Sequence, residues 1–202
     1  MSASSYFSLE DQFTFYAAYH SNRVNKAIHL LCIWPILWTG LALMSQLSLG
    51  KLPPEVLEQL PLRDEAWGLH PGTIVSLVYI FVYLAMDPFA GGVASLLVAA
   101  SYVTSNMWMA DGGSARLAAI AHLIGWLAQF YGHAKHEGRA PALLDNLFQA
   151  FLAAPLFVVC EVLFELGYKK PMQQRIRINA AASIAEFRMS KLTKAKASGK
   201  KD

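Results

Sequence analysis

The stretch QFYGHAKHEGRAPALLDN, residues 129–146, sets His133, His136, Glu137, Arg139 and Asp145 directly after an apolar run. His133 and His136 are three residues apart and neighbours on a helix, while His122 precedes His133 by eleven residues, three helical turns, on the same face. A histidine pair at helical spacing beside a carboxylate, here Glu137, is a metal half-site, because neutral imidazole binds iron, zinc and copper. The order HAKHE is not the HExxH of zinc proteases. A second pair, His20 and His29, is nine residues apart, which on one continuous helix would put the rings on opposite sides. The intervening SNRVN breaks the run, so His20 can close one helix while His29 opens the next, and the rings can converge. Taken singly, His20 and His29 each read as a hydrogen-bonded structural residue.

The remaining polar residues have their own chemistry. Arg139 carries a planar fork that matches a carboxylate, so it is a candidate partner for a substrate acid or for a nearby side chain. Asp145, Asn146, Glu161 and Glu165 lie in or beside apolar segments, where carboxylates are costly and mark ion pairs or functional sites. Glycine-rich phosphate loops, a GxSxG elbow and CxxC pairs are all missing, which leaves hydrolase and nucleotide-binding classes without a foothold. Cys32 and Cys160 sit in apolar stretches and read as small hydrophobic thiols.

These residues must be positioned by an oily scaffold. The 202 residues are 55% hydrophobic and 15% charged, against about 45–50% and about 25% in soluble domains. Four stretches suit a bilayer: 28–49, 72–109 with a break at DPFAGG, 117–131 and 147–166. The reading is an all-α, polytopic membrane helical bundle with four to five membrane-embedded helices; a soluble bundle with buried helices is the alternative. Residues 147–166 are expected to form a re-entrant or interfacial pair broken at Pro155. The five tryptophans lie near segment ends or along the segments, as an interfacial belt would place them. The start MSASSYFSLEDQF has no basic region or long apolar core, so no cleaved signal peptide is expected.

Counting crossings puts His20 and His29 on the same membrane face as His133 and His136. Arg23 and Lys26 precede the first apolar stretch, and the acidic connection 50–70 follows it, so the histidine face is expected to be cytoplasmic. Residues 1–168 form the expected membrane-embedded catalytic domain. Residues 169–202 form a basic cytoplasmic tail, partly helical or disordered, attracted to anionic membrane lipids. Nothing beyond that tail points to nucleic acid.

With these residues in view, the chain resembles the Mpo1-like family, whose characterised yeast member is an endoplasmic-reticulum 2-hydroxy fatty acid dioxygenase. The resemblance is carried by FYAAYHSNRVNKAIH, by GWLAQFYGHAKHEGRAPALLDNLFQAFLAAPLFVVCEVLFELGY and by the order of apolar segments between them. It implies functional positions at His20, Asn25, His29, His133, Glu137 and the block 141–146, with His122 and His136 where other members can carry apolar residues. It further implies Fe(II), O2 and a long-chain 2-hydroxy fatty acid, cut to CO2 and a fatty acid one carbon shorter, with phytosphingosine breakdown as the setting. Spacing and resemblance together give His20, His29, His133 and His136 as the candidate metal ligands, the resemblance favouring the first three, and Glu137, Arg139, Asp145 and Asn146 as the candidate catalytic residues. The connection KLPPEVLEQLPLRDEAWGLHPG departs from the pattern by its length, and His70 within it reads as a loop histidine. Two rival functions stand beside this one: a di-iron lipid oxygenase using His122 and His136, and a non-enzymatic membrane scaffold or lipid-binding protein.

Overall fold

Helix boundaries in this chain follow capping side chains. The computed structural model describes residues 7–61, 64–140, 148–197 and 199. Helix α1 (Leu9–Tyr19) starts at Ser8, whose hydroxyl accepts from the Asp11 amide, and α2 (Arg23–Met44) starts at Asn22, whose side chain accepts from the Val24 and Asn25 amides. Helix α3 (Pro71–Met86) opens with a proline at its first position. His70 caps it: Nδ1 accepts from Gly72 N, and Nε2 donates to Asn106 Oδ1 at 2.9 Å. The residue read as a loop histidine is therefore a buried capping residue that ties two helices together.

Asp87 ends α3 and caps α4 (Pro88–Ala110), accepting from the Phe89 and Ala90 amides. The hairpin thus turns at the DPFAGG break. Gly91 permits the close approach, because a Cβ there would collide with the Tyr83 carbonyl. Helix α5 (Ala115–Gly132) continues into a π-helical turn, His133–Glu137, closed by Gly138 with positive φ. A second π-helical turn, Phe148–Ala153, leads into α6 (Ala154–Glu165), which has Pro155 in its first turn.

Helix α2 packs mainly on α5, α3 pairs with α4, and α6 lies against α4 and α2. Tyr83, Leu41, Val98, Leu156, Phe157 and Cys160 fill the core between them. The outer faces of α3, α4 and α5 expose Leu77, Phe81, Leu96, Leu123 and Ile124. Water would penalise so extended an apolar surface, and lipid would not. Among the described residues the regular elements are helical, with one isolated bridge between Gly50 and Leu69. The architecture is the all-α, membrane-type bundle that the composition indicates.

Two helices, α2 and α4, are long and apolar enough to cross a membrane, and a third crossing is reached if the pair Phe151–Glu165 and Lys170–Thr193, bent by 116°, counts as one. That is fewer than the four or five embedded helices expected. The difference lies in α3, with 16 residues against the roughly 20 of a full span, and in α5, whose apolar sequence is diluted by Arg116, His122 and Gln129.

The basic segment after Tyr168 forms helix α7 (Lys170–Ala197). It packs along α1, burying Met172, Ile176 and Ala180. Arg175 grips Glu10 with two hydrogen bonds of 2.7 and 2.6 Å, which holds the Glu10 carboxyl below its usual range. At the α6–α7 corner, Tyr168 Oη and Lys169 Nζ donate to the buried Asp87 carboxylate at 2.8 and 2.5 Å.

Candidate metal centre

Three elements bring three imidazoles together. His20 ends α1, His29 lies in the second turn of α2, and His133 opens the π-helical turn after α5. Each has a ligand atom within 4.8 Å of the others', and all three residues are buried. The ring centroids are 4.4 Å (His20–His29), 4.8 Å (His20–His133) and 5.0 Å (His29–His133) apart, with interplanar angles of 79°, 74° and 88°. Three mutually near-perpendicular rings present their nitrogens to one point and do not stack.

Backbone carbonyls set the tautomers. His20 Nδ1 donates to the Tyr16 carbonyl at 2.8 Å, and His29 Nδ1 donates to the Asn25 carbonyl at 2.9 Å. Both rings therefore keep Nε2 as a lone-pair donor, the arrangement found in metal-binding histidines. Burial, reinforced by the two neighbouring imidazoles, pushes His20 well below the ordinary histidine range, so it is neutral. His20 Nε2 and His133 Nδ1 are buried without a hydrogen-bond partner. Two buried nitrogens without partners beside a third ring are what a bound cation would satisfy, and three imidazoles suit iron, zinc or copper.

Glu137 locks the turn that carries two of the rings. Its carboxylate accepts from Ser21 Oγ (2.8 Å), Asn22 N (2.7 Å) and Asn25 Nδ2 (3.2 Å). Gly132 makes the approach of α5 to α2 possible, because a Cβ there would overlap Asn25 Oδ1. Glu137 is thus a clamp between the α1–α2 turn and the end of α5, and it is not part of the histidine cluster.

The other expected site residues lie elsewhere. His136 turns away to sit against Tyr131, with centroids 5.7 Å apart. Arg139 stacks over Tyr19 at 3.3 Å and Phe187 at 4.5 Å and donates to the Ala18 carbonyl, so its guanidinium joins α1 to α7. His122 donates from Nδ1 to the Ile36 carbonyl (3.1 Å) and accepts at Nε2 from Trp126 Nε1 (3.0 Å), which leaves no nitrogen for a second metal. Glu161 pairs with Lys26 at 2.8 Å. Asp145 and Asn146 lie outside the described residues.

The triad closes one end of a cavity of about 530 Å³. Along α2 its wall is His29, Ile33, Ile36, Leu37, Gly40, Leu41 and Met44, one face of the helix. Tyr16, Tyr79, His122, Trp126 and Gln129 contribute from the other helices. From His29 to Met44 the wall runs about 22 Å at the rise of an α-helix. A second, smaller cleft of about 250 Å³ between α1, α6 and α7 reaches His20 from the side of Lys26, Glu161 and Arg177. Tyr16 and Gln129 were not singled out in the sequence, although each lies four residues before a triad histidine, the spacing that shares a helix face.

A model of the Mpo1-like family, described as 2-hydroxy-palmitic acid dioxygenase Mpo1-like, matches residues 6–166. The chain belongs to the Mpo1-like family. It is 27% identical over 183 residues to the 2-hydroxy-palmitic acid dioxygenase MPO1 of Saccharomyces cerevisiae, covering 91% of this chain and 95% of that protein. No solved structure matches it. The Mpo1-like match includes all three histidines of the triad, Glu137 and the whole of the cavity wall.

Proposed function

We propose that this chain is an Fe(II)-dependent dioxygenase that cleaves long-chain 2-hydroxy fatty acids between the carboxyl carbon and the hydroxyl-bearing carbon. One O2 is consumed, and the products are CO2, water and a fatty acid one carbon shorter. The observation that carries the reading is the cluster of His20, His29 and His133, with its orphaned nitrogens, at the head of an apolar cavity in a chain of this family. Iron held by these three rings would supply electrons to O2 and open positions for the two head-group oxygens.

The protein's own residues supply the rest. The Tyr16 and Asn25 carbonyls hold the His20 and His29 rings in the tautomer that leaves Nε2 free. Glu137 and Asn25 fix the spacing of the turn, and Tyr16 stacks on His20 at 4.0 Å and limits its rotation. The acyl chain lies along α2. A sixteen-carbon chain extends about 19 Å when each C–C bond of about 1.5 Å advances the zigzag by about 1.25 Å, which the α2 wall accommodates. At about 0.8 kcal/mol per buried methylene, the tail supplies ample affinity.

The basic helix α7 lies at the triad end of the bundle, which supports a site on the cytoplasmic side of the membrane, in the endoplasmic reticulum of a eukaryotic cell. In this reading 2-hydroxy acids released in phytosphingosine breakdown are substrates, and membrane lipid surrounds α2–α5. The di-iron alternative is weakened by the committed nitrogens of His122 and the position of His136.

The test is to load purified protein with Fe(II) under argon, add 2-hydroxypalmitate and O2, and identify products by mass spectrometry. The expected result is an iron-dependent fifteen-carbon acid, lost in His20→Ala, His29→Ala and His133→Ala while the helical circular dichroism is kept. No product from iron-loaded protein would overturn the reading. Absence of both product and bound iron would favour a scaffold or lipid-binding role.

A further inference from the structure

Gln129 sits one helical turn before His133, lines the large cavity and is 5% exposed. Its Nε2 is buried without a hydrogen-bond partner. We propose that Gln129 is the head-group residue of the site, donating from Nε2 to an oxygen of the 2-hydroxy carboxylate. The inference rests on the dioxygenase reading and adds to it a binding residue outside the histidine cluster.

Three observations lead there. An unmade hydrogen bond on a buried amide is expensive, and a leucine would pack the same wall without that cost. The position is therefore explained by a partner that arrives with the ligand. Three other donors lining the cavity are already committed: Tyr79 Oη to the Phe151 carbonyl, Trp126 Nε1 to His122, and His122 Nδ1 to the Ile36 carbonyl. Arg139, the cation that the sequence offers for the acid, is engaged between Tyr19 and Phe187, and Lys26 pairs with Glu161; neither lines this cavity.

A carboxylate entering an apolar cavity needs donors as well as a metal. One amide N–H aimed at it forms a charge-assisted hydrogen bond, stronger than a neutral one. Because Gln129 in the last turn of α5 and His133, which caps that helix, both line the cavity, the same oxygen atoms can reach both the triad and the amide. The hydrocarbon tail then has only the apolar wall along α2 to follow. A long-chain alcohol lacks the charge, so Gln129 separates acids from neutral lipids of equal length.

The experiment measures ligand binding to the full-length protein loaded with Fe(II) under argon, where no turnover occurs. Quenching of tryptophan fluorescence, with Trp126 in the cavity wall, reports occupancy. The ligands are 2-hydroxypalmitate and 1-hexadecanol. Gln129→Leu is expected to weaken the acid by about tenfold, the worth of one hydrogen bond to a charged group, and to leave the alcohol within about twofold. Gln129→Glu keeps the size, adds like charge, and is expected to weaken the acid further, so it decides the matter if the leucine variant does not fold. Unchanged acid affinity in both variants, or equal loss of acid and alcohol, overturns the proposal while the dioxygenase reading stands. Wild-type protein that binds neither ligand overturns both.

Discussion

Replacing Glu137 separates a clamp from a ligand. In Glu137→Ala the Asn22 amide and the Asn25 side-chain amide lose their acceptor and Ser21 loses its partner, three hydrogen bonds that join the α1–α2 turn to the end of α5. Hydrogen bonds to a charged group are worth about 1.5–3 kcal/mol each, and the one to exposed Ser21 adds little, which gives about 3–6 kcal/mol for the set. His20 and His29 flank that turn, so its loosening lowers iron affinity by about 10- to 100-fold, the usual cost of losing support behind metal ligands. Glu137→Gln retains an oxygen for Asn22 and Asn25, and the Ser21 hydroxyl can rotate to accept from the new amide. The glutamine variant is therefore expected to keep most of its iron and to melt only slightly below wild type. The assay is iron content after gel filtration, paired with thermal melting in detergent. Complete loss of iron in Glu137→Gln without a change in melting would refute the clamp and make Glu137 a direct ligand, and unaltered iron and melting in Glu137→Ala would refute both roles.

Other outcomes follow from the same geometry. Gly40→Leu fills the far part of the cavity beside His122 and is expected to shift preference towards shorter 2-hydroxy acids, each excluded methylene costing about fourfold in affinity; an unchanged chain-length profile would contradict the assignment of the tail site. Asp87→Ala removes the cap of α4 and the buried partner of Lys169 and Tyr168, and a loss of about 3 kcal/mol is expected from urea unfolding in micelles. The Glu10 carboxyl is held low by Arg175, so its contribution is fully present above the ordinary glutamate range and is lost as pH falls through the lowered folded value. Protease cleavage within α7 should therefore rise between pH 5 and 3, within about the range over which carboxylates titrate, and Glu10→Gln should show that sensitivity already at neutral pH.

Local signals carried much of this fold into the sequence. SNRVN marks the turn because Asn22 is a capping residue, and DPFAGG marks the hairpin because Asp87, Pro88 and Gly91 each act at it. The meeting of His20, His29 and His133 was legible from the resemblance, and from the SNRVN break that lets His20 close one helix while His29 opens the next. His136 was misjudged by spacing alone: the i, i+3 rule holds for an α-helix, and the wider π-helical turn rotates His136 off the His133 face. Arg139 is claimed by Tyr19 and Phe187, partners distant in sequence that no local pattern discloses. His70 stands directly before Pro71, a position typical of a helix cap, and that signal was available. The length of the basic helix rests on burial against α1, a tertiary contact invisible to composition.

The three rings also impose an order on biogenesis. His20 and His29 flank one short turn and leave the ribosome together with the first span, while His133 emerges only after the α3–α4 hairpin and α5 have been made. A two-histidine half-site holds metal weakly, so under the proposed function a nascent chain would not retain iron until α5 has packed beside α2. Metal capture by the three rings would then report that α2 and α5 have met, and a chain stalled between them would stay metal-free and distinguishable from the finished protein.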